Sequence, residues 1–141
     1  MKIKRSYVEL SEYLFYSAPS FQAAEEAPQT YRELAQYRGE KLVVWNGASD
    51  RTIYAHRDVN YAFRAIHDMT HLELNAPFDT HGEYRVARRC LDNARAAGLS
   101  TDALKALYFD SFGQFAYFRR YGQFIEDQEG FVTHCMEVSH V

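Results

Sequence analysis

The sequence predicts a mainly α-helical domain of the α+β class, with four to five helices and a small antiparallel β element near the N-terminus. Three observations predict it. From about residue 58 onwards, polar cap residues and glycine or proline stops bracket long stretches whose apolar residues recur at helical spacing. Residues 41–45, Lys-Leu-Val-Val-Trp closed by Asn46-Gly47, form the clearest strand signal. The length of 141 residues, with 47% hydrophobic and 16% aromatic side chains, suits one hydrophobic core. The chain therefore reads as a single domain over 1–141, with a mixed β/α part at 1–55 and a helical core at 56–141.

Taken in order, residues 2–10 alternate in part and read as a short strand, and the apolar run 13–16 ends at Ser17-Ala18-Pro19. A helix is expected between 21 and 38, restarted at Pro28, which suits a first helical position, and stopped at Gly39. Strand 41–45 is expected to pair with 51–54 across a loop. Asp58 is placed to cap a helix over 59–74, which Pro77 keeps from continuing. Thr80 is placed to cap a second helix to Ala97, ended by Gly98. Ser100 or Thr101 caps a third helix that runs to Tyr121 and stops at Gly122, and 127–138 reads as a short fourth. The third helix is apolar on every side, which marks a central element. Asp110 and Gln114 fall among its small residues, where buried polar groups require partners.

Composition narrows the function. A net charge of -3 argues against general nucleic-acid binding. Eleven Tyr and ten Phe against seven Gly and three Pro argue against disorder. Cys90 and Cys135 form no framework or Cys-x-x-Cys pattern and read as free thiols of a reducing compartment; no activated-cysteine arrangement accompanies them. Neither a signal-type h-region nor a membrane-length apolar run is present, so the expectation is a cytoplasmic protein without a membrane partner. Gly-x-Gly-x-x-Gly and Walker-type loops are absent, which disfavours dinucleotide binding and nucleotide hydrolysis of those kinds.

The densest chemistry is His67-Asp68-Met69-Thr70-His71. Residues four apart on a helix lie about 40° apart around it and one turn apart along it, so both imidazoles can reach one ion. The spacing is that of the helical zinc motif His-Glu-x-x-His, with Asp in place of Glu. Val59, Phe63, Ile66, Thr70 and Leu74 share the side of His67, which turns that ring inward. Glu83, on a stripe with Ala87, Cys90 and Ala94, and Asp110 from the third helix are candidates to complete a Zn²⁺, Fe²⁺ or Mn²⁺ shell, with Gln114 supporting it. Asp68 is the candidate base of a metal-dependent hydrolase, or else an acceptor for the second N–H of a ligating imidazole. Each residue also has a plainer reading: the histidines as hydrogen-bonded core residues, and Glu83 as the third helical residue of a capping box opened by Thr80. Arg85, Arg88, Arg89 and Arg119 form a separate candidate anion site, next to aromatics able to stack a base, against the alternative of a solvated helix face.

The string Asn60-Tyr61-Ala62-Phe63-Arg64-Ala65-Ile66-His67-Asp68-Met69-Thr70-His71, followed by Phe78, Gly82-Glu83, Asp110-Ser111-Phe112-Gly113-Gln114 and residues 123–131, resembles small uncharacterised bacteriophage and prophage proteins over roughly 40–135. The resemblance implies a phage-borne intracellular protein and directs attention to His67, Asp68, His71, Glu83, Asp110 and Gln114. It supplies no activity. Small phage proteins of this kind are often accessory factors, counter-defence inhibitors among them, so it implies a host protein or a signalling nucleotide as partner. The aromatic content could equally serve a homo-oligomeric interface.

Overall fold

The computed structural model describes residues 2–139, which are mainly helical with a small two-stranded sheet. Helix α1 spans Lys2–Ser17, strand β1 Phe21–Ala24, the single turn α2 Tyr31–Leu34 and strand β2 Leu42–Trp45. Helices α3 (Arg57–Leu74), α4 (Thr80–Ala96) and α5 (Thr101–Tyr108) come next, then a π-helical turn at Phe109–Gly113, α6 (Gln114–Tyr121) and α7 (Gln128–Val138). Since α5, the π turn and α6 run on without a break, they form one rod.

The N-terminal part departs from the sequence expectation, for identifiable reasons. Residues 2–17 are a helix rather than a strand: Ile3, Tyr7, Leu10 and Leu14 recur at four-, three- and four-residue steps, and Tyr7, Leu10 and Leu14 are buried against the main core. The expected helix over 21–38 is a strand and then one turn. Only eight residues separate Pro19 from Pro28, too few to offset helix nucleation, and proline disfavours α geometry in the residue before it. The strand element is parallel, not antiparallel: Phe21 pairs with Leu42 and Ala24 with Trp45, and α2 lies within the crossover. Residues 51–56 do not pair with β2. They form an irregular loop with Thr52, Ile53 and Tyr54 buried, in which Tyr54 N–H donates to the Thr52 hydroxyl at 3.1 Å, and beside it Asn60 Nδ2 donates to the Ser49 hydroxyl at 2.8 Å.

The helical part keeps the expected punctuation, with shifted caps. Helix α3 begins at Arg57 after His56, so Asp58 lies in its first turn instead of capping it; α4 is capped by Asp79, with Thr80 as its first helical residue. Ser100 caps α5, and Gly122, at φ 69°, ends α6. Two apolar clusters result. The larger joins α1, α5 and α7 through Leu10, Leu14, Leu107, Val132 and Met136; the smaller joins the strands to α3 through Leu34, Leu42, Val44 and Ala65. Helix α3 touches both, and α4 packs along it.

Candidate metal centre

The turn between α3 and α4 builds the site. Helix α3 ends at Asn75 in the left-handed region (φ 50°), and the Ala76 N–H returns to the His71 carbonyl at 3.0 Å. Pro77 blocks continuation, and shortly after it the Asp79 carboxylate accepts the Gly82 N–H at 2.7 Å to start α4. Gly82 is required by a close approach: a Cβ there would lie 2.0 Å from the Pro77 carbonyl oxygen. With α4 drawn in this tightly, Glu83 faces the end of α3.

His67, His71 and Glu83 are thereby brought together, each offering a ligand atom, all within 4.8 Å of one another. His67 Nε2 is 3.0 Å from Glu83 Oε1, and His71 Nε2 is 3.2 Å from Glu83 Oε2. These are separations of hydrogen-bonded or ion-paired groups, and they also match polyhedron edges of roughly 3.0 Å (octahedral) to roughly 3.4 Å (tetrahedral) for metal bonds of about 2.1 Å, so the group could hold an ion. The rings are fixed from outside. His67 stacks on Phe63 with centroids 6.0 Å apart, and His71 lies edge-on to Phe78 at 4.6 Å and perpendicular to His67 at 4.7 Å.

Hydrogen bonding sets the chemistry of His71. Its Nδ1 is 2.7 Å from the Ala76 carbonyl oxygen, which can only accept, so Nδ1 carries the proton. In the neutral ring the Nε2 lone pair of this fully buried atom then points toward Glu83 Oε2 at 3.2 Å, so two acceptors face each other there. A proton or a cation must lie between the two lone pairs, because a buried polar atom left unmatched is costly. A backbone carbonyl holding the second N–H is also the usual support of a metal-ligating imidazole.

The charges are coupled. Burial alone would raise the Glu83 carboxyl, but the hydrogen bond from His67 and the two imidazoles against its oxygens outweigh that and hold it at about 2. Burial opposes charge on His67, yet the Glu83 hydrogen bond and the charges of Glu83 and Asp68 raise its pKa. Burial raises Asp68, whose Oδ1 is 4.0 Å from Nδ1 of His67, the ring nitrogen turned away from Glu83.

The remaining candidates are distributed elsewhere. The capping box of Thr80 and Glu83 does not form: Asp79 is the cap, which leaves the Glu83 carboxylate to the histidines. Asp110 does not join them. Its Oδ2 accepts from the Tyr54 hydroxyl at 2.9 Å and its Oδ1 from Gln114 Nε2 at 2.7 Å, so Gln114 supports Asp110 and not the histidine pair. The π turn over Phe109–Gly113 inserts a residue that a regular helix lacks, which rotates the residues after it, from Gln114 on, by about 100° relative to a straight-helix projection. Arg85, Arg88 and Arg89 line one shallow cavity of about 260 Å³ together with Asp92, which lies 3.9 Å from the Arg88 guanidinium, and Arg85 donates to the Leu74 carbonyl at 3.2 Å; Arg119 is exposed near the end of α6. Sequence reasoning missed Ala76, Gly82 and Phe78. Phe78 and Gly82 stood only in the string that carries the resemblance, with no role of their own, and Ala76 carried no signal. Among the described residues no helix is long and apolar enough to cross a membrane. Comparison with protein-family models, with curated proteins and with solved structures yields no match.

Proposed function

We propose that the protein binds one divalent transition-metal ion through Nε2 of His67, Nε2 of His71 and the Glu83 carboxylate, and that this ion fastens the end of α3 to the start of α4. The observation that carries the reading is the buried Nε2 of His71, which faces the Glu83 carboxylate at 3.2 Å while its Nδ1–H is committed to Ala76. Two imidazoles and a carboxylate suit Zn²⁺ first, with Fe²⁺ and Mn²⁺ as alternatives.

A structural role is better supported than a hydrolytic one. Asp68 lies at the far edge of the His67 ring, suited to orienting it rather than to deprotonating a metal-bound water. The cavities of about 640 and 770 Å³ are lined by other residues. Three protein ligands nevertheless leave a coordination position, and a hydrolytic role would work through it. Protein purified without chelator should carry about one equivalent of Zn, Fe or Mn by elemental analysis, and His71→Ala and Glu83→Gln should lose it while keeping helical circular dichroism. Wild-type protein that is metal-free and also fails to take up added Zn²⁺ overturns the reading.

A second reading is favoured by the convergence of Arg85, Arg88 and Arg89 on one cavity: a non-enzymatic, phage-type counter-defence protein that binds an anionic host protein or signalling nucleotide there. It expects Arg88→Ala to abolish capture of such a partner while His71→Ala changes mainly stability.

A further inference from the structure

A cavity of about 770 Å³ opens about one turn N-terminal to His67 on α3, away from the histidine–glutamate group. It is assembled from the segment between β1 and α2, the end of β2, α3, α6, the segment joining α6 to α7 and the start of α7. Its size falls within the range of roughly 300–1,000 Å³ that small-molecule sites occupy. Trp45, Phe115, Phe118 and Phe124 give it aromatic walls, and Trp45 and Phe124 keep 50% and 84% of their surface exposed. Large aromatics held open to solvent around a cavity are a costly arrangement for packing and a suitable one for stacking a flat ligand.

The walls are pre-positioned. The Arg64 guanidinium lies over the Trp45 ring, 5.3 Å from its centroid, and donates to the Trp45 carbonyl. Gly47 admits the indole against its backbone, since a Cβ there would lie 2.1 Å from the ring. Phe118 and Phe124 stack with centroids 4.4 Å apart and planes 19° from parallel.

The polar groups point to one kind of ligand. Gln114 Nε2 donates to the Asp110 carboxylate at 2.7 Å and to its backbone carbonyl at 3.1 Å, so this amide is oriented with its NH₂ toward Asp110 and its carbonyl oxygen as the remaining acceptor. Gln128 is oriented in the same sense, its Nε2 donating to the Ala48 carbonyl at 2.8 Å; its Oε1 lies 3.5 Å from Gln114 Nε2, a long contact that leaves a lone pair of that oxygen for a ligand. Both glutamines line the cavity, and Glu25 adds a carboxylate. Gln114 lies beside Asp110 as a residue four positions on along a helix does, and the π turn that carries Asp110 immediately precedes it; π turns of this kind are frequent at functional sites.

We propose that this cavity binds a planar, amino-substituted heteroaromatic ring, the chemistry of an aminopurine or aminopyrimidine base. The ring stacks among Trp45, Phe118 and Phe124, and its exocyclic N–H groups donate to the carbonyl oxygens of Gln114 and Gln128. This site is independent of the metal centre.

Trp45 is the single tryptophan of the chain, so its emission reports the cavity directly. Adenosine should change that emission saturably, and purine riboside, which lacks only the amino group, should bind at least tenfold more weakly. Phe124→Ala removes an exposed ring and should leave the fold intact while weakening adenosine roughly tenfold, the usual scale for losing one stacking partner. Gln128→Leu should bring the two nucleosides toward equal affinity. No saturable change with adenosine at millimolar concentration overturns the proposal, as does equal affinity of the wild type for adenosine and purine riboside, or unaltered adenosine binding by Phe124→Ala.

Discussion

At the scale of single residues, Asp110 is a carboxylate held where water hardly reaches, 5% exposed. Burial raises its pKa to about 6; the hydrogen bonds from Tyr54 and Gln114 and the charge of Arg64 pull it down without offsetting that. The unfolded chain would titrate it near 3.9, so the group favours folding fully below about pH 4 and loses that contribution as pH rises through about 6. A gap of one pH unit between folded and unfolded pKa is worth about 1.4 kcal/mol, which makes the difference on the order of 3 kcal/mol between pH 4 and pH 8. Asp110→Asn should therefore be more stable than wild type at pH 8, by an amount that shrinks toward zero at pH 4, in urea titrations at both values. A variant less stable at pH 8 would show that the ionised carboxylate is needed by Tyr54 and Gln114. The neighbourhood of Asp110 was only half legible. Its burial follows from the apolar helix around it, but its partner Tyr54 sits on an irregular loop that no periodicity announces. His67, His71 and Glu83 were legible because helical spacing fixes their directions before any tertiary contact is known.

At the scale of elements, α1 and the start of α4 carry the testable weight. Leu10 is fully buried, a burial that a helical α1 explains and a short surface strand would not. Leu10→Ala should cost about 2–5 kcal/mol, the usual range for emptying a core leucine site, read as a fall in the denaturation midpoint. Gly82→Ala tests the α3–α4 turn. A methyl group there must displace the Pro77 carbonyl, moving Glu83 away from His71, so Zn²⁺ affinity should drop about 10–100-fold, as when groups supporting metal ligands are disturbed. Unchanged affinity by calorimetry would mean that the turn adjusts without moving the glutamate. The helices from α3 onwards were readable because caps and stops are local chemistry. Strand β2 was readable from its own Leu-Val-Val-Trp signal, but its pairing was not, because its partner is set by a crossover that pairs Phe21 with Leu42, far apart in the chain, and residues 21–24 carry no strand signal of their own.

At the scale of the whole molecule, α3 is the shared wall of two apolar clusters, and α4 packs along it with Val86 and Ala87 buried. An ion at His67, His71 and Glu83 would join these helices at the end where the turn between them is short, and would restrain two elements that the unfolded chain cannot pre-assemble into a site. An ion that binds only the folded chain stabilises it by RT ln(1 + [M]/Kd), about 2.7 kcal/mol at one hundred times Kd. For a chain of this size that corresponds to a rise in Tm on the order of 10 °C. Chelator should lower the Tm of the wild type by this amount and Zn²⁺ should restore it, whereas His71→Ala should melt at one temperature under both conditions. The two cases can be told apart because a chelator effect that persists in His71→Ala would place the bound metal elsewhere. Equal melting of wild type with and without chelator would leave the His71–Glu83 contact to be bridged by a proton.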